Sequence, residues 1–183
     1  MAFNHSLMMS ITGQDAKILK TGDKVPVFEA YDDHNQLWNI KDYLGKKNIV
    51  IYFYPAAMTG GCTKQACSYR DSYPDLEKVD AIVVGISGDE VENLKLFKKV
   101  YNLNFTLLSD PTGDIARKFH VPAGEGSSIV REVDGKEFIL KRGVTAKRWT
   151  YVINKKSRIV YVNQEVDAGQ DSQEVLKILS AGM

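Results

Sequence analysis

The chain has 183 residues, enough for one domain that buries most of its surface without disulfide staples. Its formal net charge of +1 leaves no footprint for nucleic acid or for an anionic membrane. The longest apolar run, residues 49–58, falls short of the roughly 20 residues that a spanning helix needs.

Residues 1–19 read as a flexible arm ahead of a single domain at 20–183. The first 14 residues hold no Lys or Arg, so the basic start of a secretory signal is missing. Ala2 removes the myristoylation pattern. A cytoplasmic location is the expectation.

Residues 48–54 (NIVIYFY) are β-branched and aromatic with no polar alternation, the pattern of a strand buried on both faces. Residues 81–87 (AIVVGIS) repeat it. A helix at 62–79 between them predicts a βαβ unit with a parallel strand pair. Thr59-Gly60-Gly61 forms the strand-to-helix turn. Apolar positions 91, 94, 97 and 100 predict a helix over 90–101. A strand at 105–109, a turn at 110–113 and a short helix to Phe119 follow. The glycine-rich stretch 124–128 lacks the ending of a phosphate loop and reads as a flexible connection. Asp134-Gly135 favours a type I′ turn, which predicts a hairpin over 129–140 as a surface excursion. A second hairpin pairs 149–154 with 158–163. A helix at 172–180 closes the chain, with Asp171 or Ser172 as its cap. The sum is an α/β fold, a central mixed sheet flanked by helices.

Only two cysteines occur, five positions apart, and a close pair outside a secreted scaffold points to catalysis or metal binding. Structural zinc needs four ligands, and His5, His34 and His120 are scattered. No metal and no cofactor are therefore expected. A nucleophilic cysteine acts as the thiolate, which the unpaired N–H groups and dipole of a first helical turn favour. Cys62 falls at such a turn. The same amides could hold the oxygens of a bound substrate. In one regular helix, Cys62 and Cys67 stand about 7.5 Å apart along the axis and about 140° apart around it. A disulfide wants Cα atoms within about 6.8 Å, so a bond between them would require the first turn to unwind. The competing reading is two small thiols that only pack in a helix. Arg70 and Asp71 read as a structural pair on that helix.

Pro55-Ala-Ala-Met-Thr59-Gly-Gly-Cys62 has the form P-x-x-x-T-x-x-C, which resembles the active-site signature of peroxiredoxins. Its continuation, Gly61-Cys-Thr-Lys-Gln-Ala-Cys67-Ser-Tyr-Arg-Asp71, is similar to the peroxiredoxin Q (bacterioferritin comigratory protein) subgroup. The likeness runs from about Lys20 to Leu179 and includes Leu107-Leu-Ser-Asp110 and Arg148-Trp-Thr-Tyr-Val-Ile153. It implies a thioredoxin-like fold with an N-terminal β-hairpin extension at 27–40. It also implies roles: Cys62 as peroxidatic thiolate, Thr59 as hydrogen-bond partner of thiolate and peroxide, and Pro55 as a shield against water. Arg148 would support the thiolate and polarise the O–O bond, a task suited to a permanent cation. Cys67 would resolve the sulfenic acid as an intramolecular disulfide, and thioredoxin or a similar dithiol donor would reduce it. Nothing in that cycle needs a second copy of the chain, so a monomer is expected. The loop departs from the subgroup pattern: Gly60 stands where relatives carry proline, and Ala56, Ala57 and Met58 stand where they carry charged residues. A looser loop and a more apolar pocket are expected. A second function class, a redox sensor that uses the cysteine pair as a disulfide switch, fits the same residues. A thioredoxin-like disulfide oxidoreductase fits them less well, since it uses C-x-x-C.

Overall fold

The computed structural model describes residues 18–182. The arm expected at 1–19 lies almost wholly outside them.

Strands β1 (Glu29–Asp32), β2 (Leu37–Asn39), β3 (Asn48–Phe53), β4 (Ala81–Ser87), β5 (Thr106–Ser109), β8 (Trp149–Ile153) and β9 (Ile159–Asn163) form one seven-stranded sheet, ordered β2-β1-β5-β4-β3-β8-β9. β3, β4 and β5 run parallel, and the outer pairings are antiparallel. The helices are α1 (Gly60–Lys78), α2 (Val91–Tyr101), α3 (Asp114–Lys118) and α4 (Asp171–Ser180). β6 (Ala123–Val133) and β7 (Lys136–Ala146) form a separate two-stranded sheet, joined to the chain after β4 by an isolated bridge between Arg142 and Asp89.

The two-residue period of a strand divides β3 between two cores. Val50, Tyr52 and Tyr54 meet α1, α2 and α4 on one face. Ile49, Ile51 and Phe53 meet α3, Phe28, Trp38 and Phe119 on the other. Helix α1 carries Pro74 in its interior, which deprives the Arg70 carbonyl of its usual amide. Asn104 Nδ2 donates to that carbonyl instead, at 3.1 Å. Arg70 pairs with Asp71 at 2.9 Å, as read from the sequence, and also donates to the Tyr101 carbonyl.

The β6–β7 hairpin is longer than the predicted one. It turns at Asp134 and Gly135, both with positive φ, as a type I′ turn requires. The stretch 124–128 is part of β6 rather than a flexible connection. Gly126 serves close backbone approach, since a Cβ there would fall 2.2 Å from the Arg142 carbonyl oxygen. Nor is the hairpin a free excursion. Leu140 is 3% exposed, and Ile129 and Phe138 pack beside it on the core that holds α2.

The N-terminal hairpin of β1 and β2 is present, but β1 also pairs with β5 and so extends the main sheet. Helix α4 starts at Asp171 with neither Asp171 nor Ser172 as its cap. Gln170 holds the cap position without a side-chain bond, because both predicted caps turn into the interior.

Candidate active site

β8 lies antiparallel to β3 with Phe53 opposite Trp149. The loop that leaves β3 and the residue that precedes β8 therefore share one end of the sheet. That end receives Cys62 from α1 and Arg148 from the position just before β8.

Thr59 has extended backbone, and Thr63 N–H makes the first helical bond, to the Thr59 carbonyl at 2.8 Å. The amides of Gly60, Gly61 and Cys62 thus have no partner within the helix. Cys62 is 2% exposed, and Arg148 Nη2 lies 3.4 Å from its sulfur. Arg148 Nη1 donates to Gln65 Oε1 at 2.6 Å, one helical turn after Cys62. A Cβ on Gly61 would come 3.2 Å from Arg148 Nη2, so the glycine gives the guanidinium its approach.

The loop before Cys62 is pinned rather than loose. The Ala57 amide donates to Asp89 at 2.8 Å, and the Met58 carbonyl accepts from Arg131 of the hairpin at 2.8 Å. Thr59 Oγ1 donates to the Ala56 carbonyl at 2.7 Å, so its proton is turned away from sulfur. Pro55 is half-buried at the loop start, while Ala56, Ala57 and Met58 are buried. Met58 takes a φ of 64°, which its tethers on either side sustain. Asp89 also accepts from Ser87 and Asn93. Burial raises the Asp89 carboxyl above its ordinary range, and those bonds oppose the shift.

Beneath Gln65 lies Asp171, fully buried. Its Oδ2 accepts from Gln65 Nε2 at 2.8 Å, Tyr69 Oη at 2.7 Å and Thr150 Oγ1 at 2.8 Å. Burial raises the Asp171 carboxyl, and those same donors pull it back. The Tyr52 hydroxyl is buried without a partner, and its titration is pushed upward by burial and then by Cys62 and Asp171. Cys67 is half-buried on the same continuous helix, and both thiols are free.

The structure thus gathers Cys62 and Arg148 in contact, sets Pro55 and Thr59 in the preceding loop, and leaves Cys67 further along α1. Sequence reasoning missed Gln65, Asp89, Arg131 and Asp171. The spacing of Gln65 from Cys62 put it on the same helical face. Nothing local marked the other three. Among the described residues, no group of three or more His, Cys, Asp or Glu side chains gathers as metal ligands. No described helix is long and apolar enough to cross a membrane.

A thioredoxin-like sheet with a buried cysteine at a helix start, facing an arginine, defines a thiol-dependent oxidoreductase. A profile of the AhpC/TSA family matches residues 21–162, and the chain belongs to that family as a peroxiredoxin, a peroxidase oxidoreductase. It is 37% identical over 188 residues to a chloroplastic peroxiredoxin Q of Populus jackii, covering 98% of this chain and 79% of that one. It is 35% identical over 161 residues to peroxiredoxin Bcp of Bacillus subtilis (strain 168), covering 88% and 95%. The crystal structure of peroxidoxin BcpB from Mycobacterium tuberculosis superposes with a TM-score of 0.75 at 34% identity, over 90% of this chain and 99% of that one.

Proposed function

We propose that this peroxiredoxin reduces hydrogen peroxide and organic hydroperoxides through Cys62 and an intramolecular Cys62–Cys67 disulfide. The observation that carries the reading is the Arg148 guanidinium 3.4 Å from a buried Cys62 sulfur at the start of a helix. The thiolate attacks one peroxide oxygen and the O–O bond breaks. Cys62 becomes a sulfenic acid, and the leaving oxygen departs as water or alcohol after taking a proton. Arg148 and the free amides of the first turn face the charge that develops on the two oxygens. Thr59 keeps its oxygen as an acceptor for the peroxide proton, and Pro55 helps to exclude water.

Cys67 then attacks the sulfenic sulfur, water leaves, and the disulfide forms. That step requires α1 to unwind between the two residues. A helix end next to glycines is a low-cost place to open. Thioredoxin, or a similar dithiol donor, reduces the disulfide and is itself oxidised. One chain carries both cysteines, so a monomer suffices, and two free thiols suit the reducing cytoplasm.

The test is peroxide-dependent oxidation of thioredoxin. Cys62→Ser is expected to abolish it, and retained activity in that variant overturns the assignment. Cys67→Ser is expected to keep the first reaction with peroxide and to lose thioredoxin-supported turnover. A wild-type Cys62 that reacts no faster than a free thiolate would instead favour the disulfide switch.

A further inference from the structure

We propose that Asp171, at the start of α4, is a positioning residue for the peroxide reaction, acting through Gln65 on Arg148. The inference rests on the peroxidase reading of Cys62.

Arg148 has only N–H groups to offer, so Gln65 must turn its carbonyl oxygen toward it. The amide of Gln65 can be flipped with almost no change in shape. In the flipped state its NH₂ would face the guanidinium, and Arg148 would lose its anchor. The acceptor oxygen of Asp171, 2.8 Å from Gln65 Nε2, selects the correct orientation from the far side. One guanidinium nitrogen is then held by Gln65, and the other is aimed at the sulfur.

The placement of Asp171 supports the same role. Its Oδ2 takes donors from two elements, Gln65 and Tyr69 of α1 and Thr150 of β8. Those are the elements that deliver Cys62 and Arg148. Tyr69 and Thr150 therefore hold the carboxylate in place, and the carboxylate fixes the orientation of Gln65. Its second oxygen, Oδ1, is buried with no partner. A carboxyl kept in the interior with one oxygen unsatisfied is costly for a structural tie alone.

The experiment is the second-order rate of Cys62 with hydrogen peroxide in single turnover, followed by tryptophan fluorescence. Folding is checked by circular dichroism. Asp171→Leu is expected to slow the reaction by about tenfold or more, the scale of a misplaced catalytic group. Asp171→Asn, whose carbonyl can take the place of Oδ2, is expected to recover most of that loss. In a Gln65→Leu background, Asp171→Leu is expected to add no further slowing. A folded Asp171→Leu protein that reacts at the wild-type rate overturns the proposal. So does an Asn variant as slow as the Leu variant, or a full second loss in the Gln65→Leu background.

Should Asp171→Leu fail to fold, Tyr69→Phe carries the test, because it removes a different donor from the same oxygen. It is expected to lower stability and leave the rate unchanged, while Gln65→Leu slows the reaction. Equal slowing by both would assign Asp171 to packing alone. The wild-type rate is the internal reference. If it is no faster than a free thiolate, the peroxidase reading fails and this inference fails with it. If it is fast and Asp171→Leu matches it, only the role of Asp171 is lost.

Discussion

Gly61 lies where two demands on one residue conflict. As an exposed residue in the first turn of α1, it costs helix stability. As the neighbour of Arg148, it leaves the gap that the guanidinium fills. Gly61→Ala therefore separates stability from activity. Alanine is the better helix former, by up to about 1 kcal/mol, so the melting temperature should hold or rise. The added Cβ would sit 3.2 Å from Arg148 Nη2, and Gln65 already holds the other guanidinium nitrogen. Arg148 must shift, and the single-turnover rate with peroxide is expected to fall. An unchanged rate would mean that the 3.4 Å approach to sulfur does not govern the chemistry. At this same scale the motif P-x-x-x-T-x-x-C was legible, because the turn and helix start are local. Residue identity alone could not reveal that the Thr59 proton is spent on the Ala56 carbonyl.

Among the elements, the β6–β7 hairpin behaves least as its sequence suggests. Alternating polar residues and a glycine-rich lead-in read as solvent-facing, and most of its surface is exposed. Yet Leu140 is buried against the core of α2, and Arg131 holds the loop that precedes Cys62. Leu140→Ala is expected to cost about 2–4 kcal/mol in urea unfolding, as for a buried leucine elsewhere. A loss near zero would return the hairpin to a surface excursion. Helix α4 teaches the converse. Asp171 and Ser172 have the composition of caps, but both are buried, with Ser172 joined to Ser68 and Ser72 of α1. A polar residue at a helix start reads alike whether it bonds its own helix or a neighbour.

Across the whole molecule, buried and surface acids pull the pH dependence of stability in opposite directions. Asp89 and Asp171 titrate above their ordinary value because burial penalises the charge. The folded state then binds more protons than the unfolded chain, so their contribution is greatest below the ordinary value and declines as pH rises through the raised ones. Asp80 does the reverse. It pairs with Lys155 and Lys47 at the surface, and its carboxyl is lowered from 3.8 to about 2. Its contribution is full above the ordinary value and disappears as pH falls through the lowered one. Asp80→Asn is expected to reduce stability at neutral pH and to lose that effect as pH drops toward about 2. Urea unfolding across a pH series measures it, and added salt should shrink it, as for any exposed pair. An Asp80→Asn loss that persists at the acid end would rule out the ion pairs as its cause.

The sequence by itself determined what short range can encode. The apolar runs of β3 and β4 had to be buried on both faces, and the helix between them had to begin near Cys62. The Asp134-Gly135 turn followed from two residues that accept positive φ. Tertiary structure decided what lies side by side. Arg148 reaches Cys62 across 86 positions because β8 pairs with β3, and strand order cannot be read from the strands themselves. Asp171 meets Gln65 only because α4 packs on α1. A thiol and its motif are local facts, whereas the charges that surround the thiol depend on how the elements are assembled.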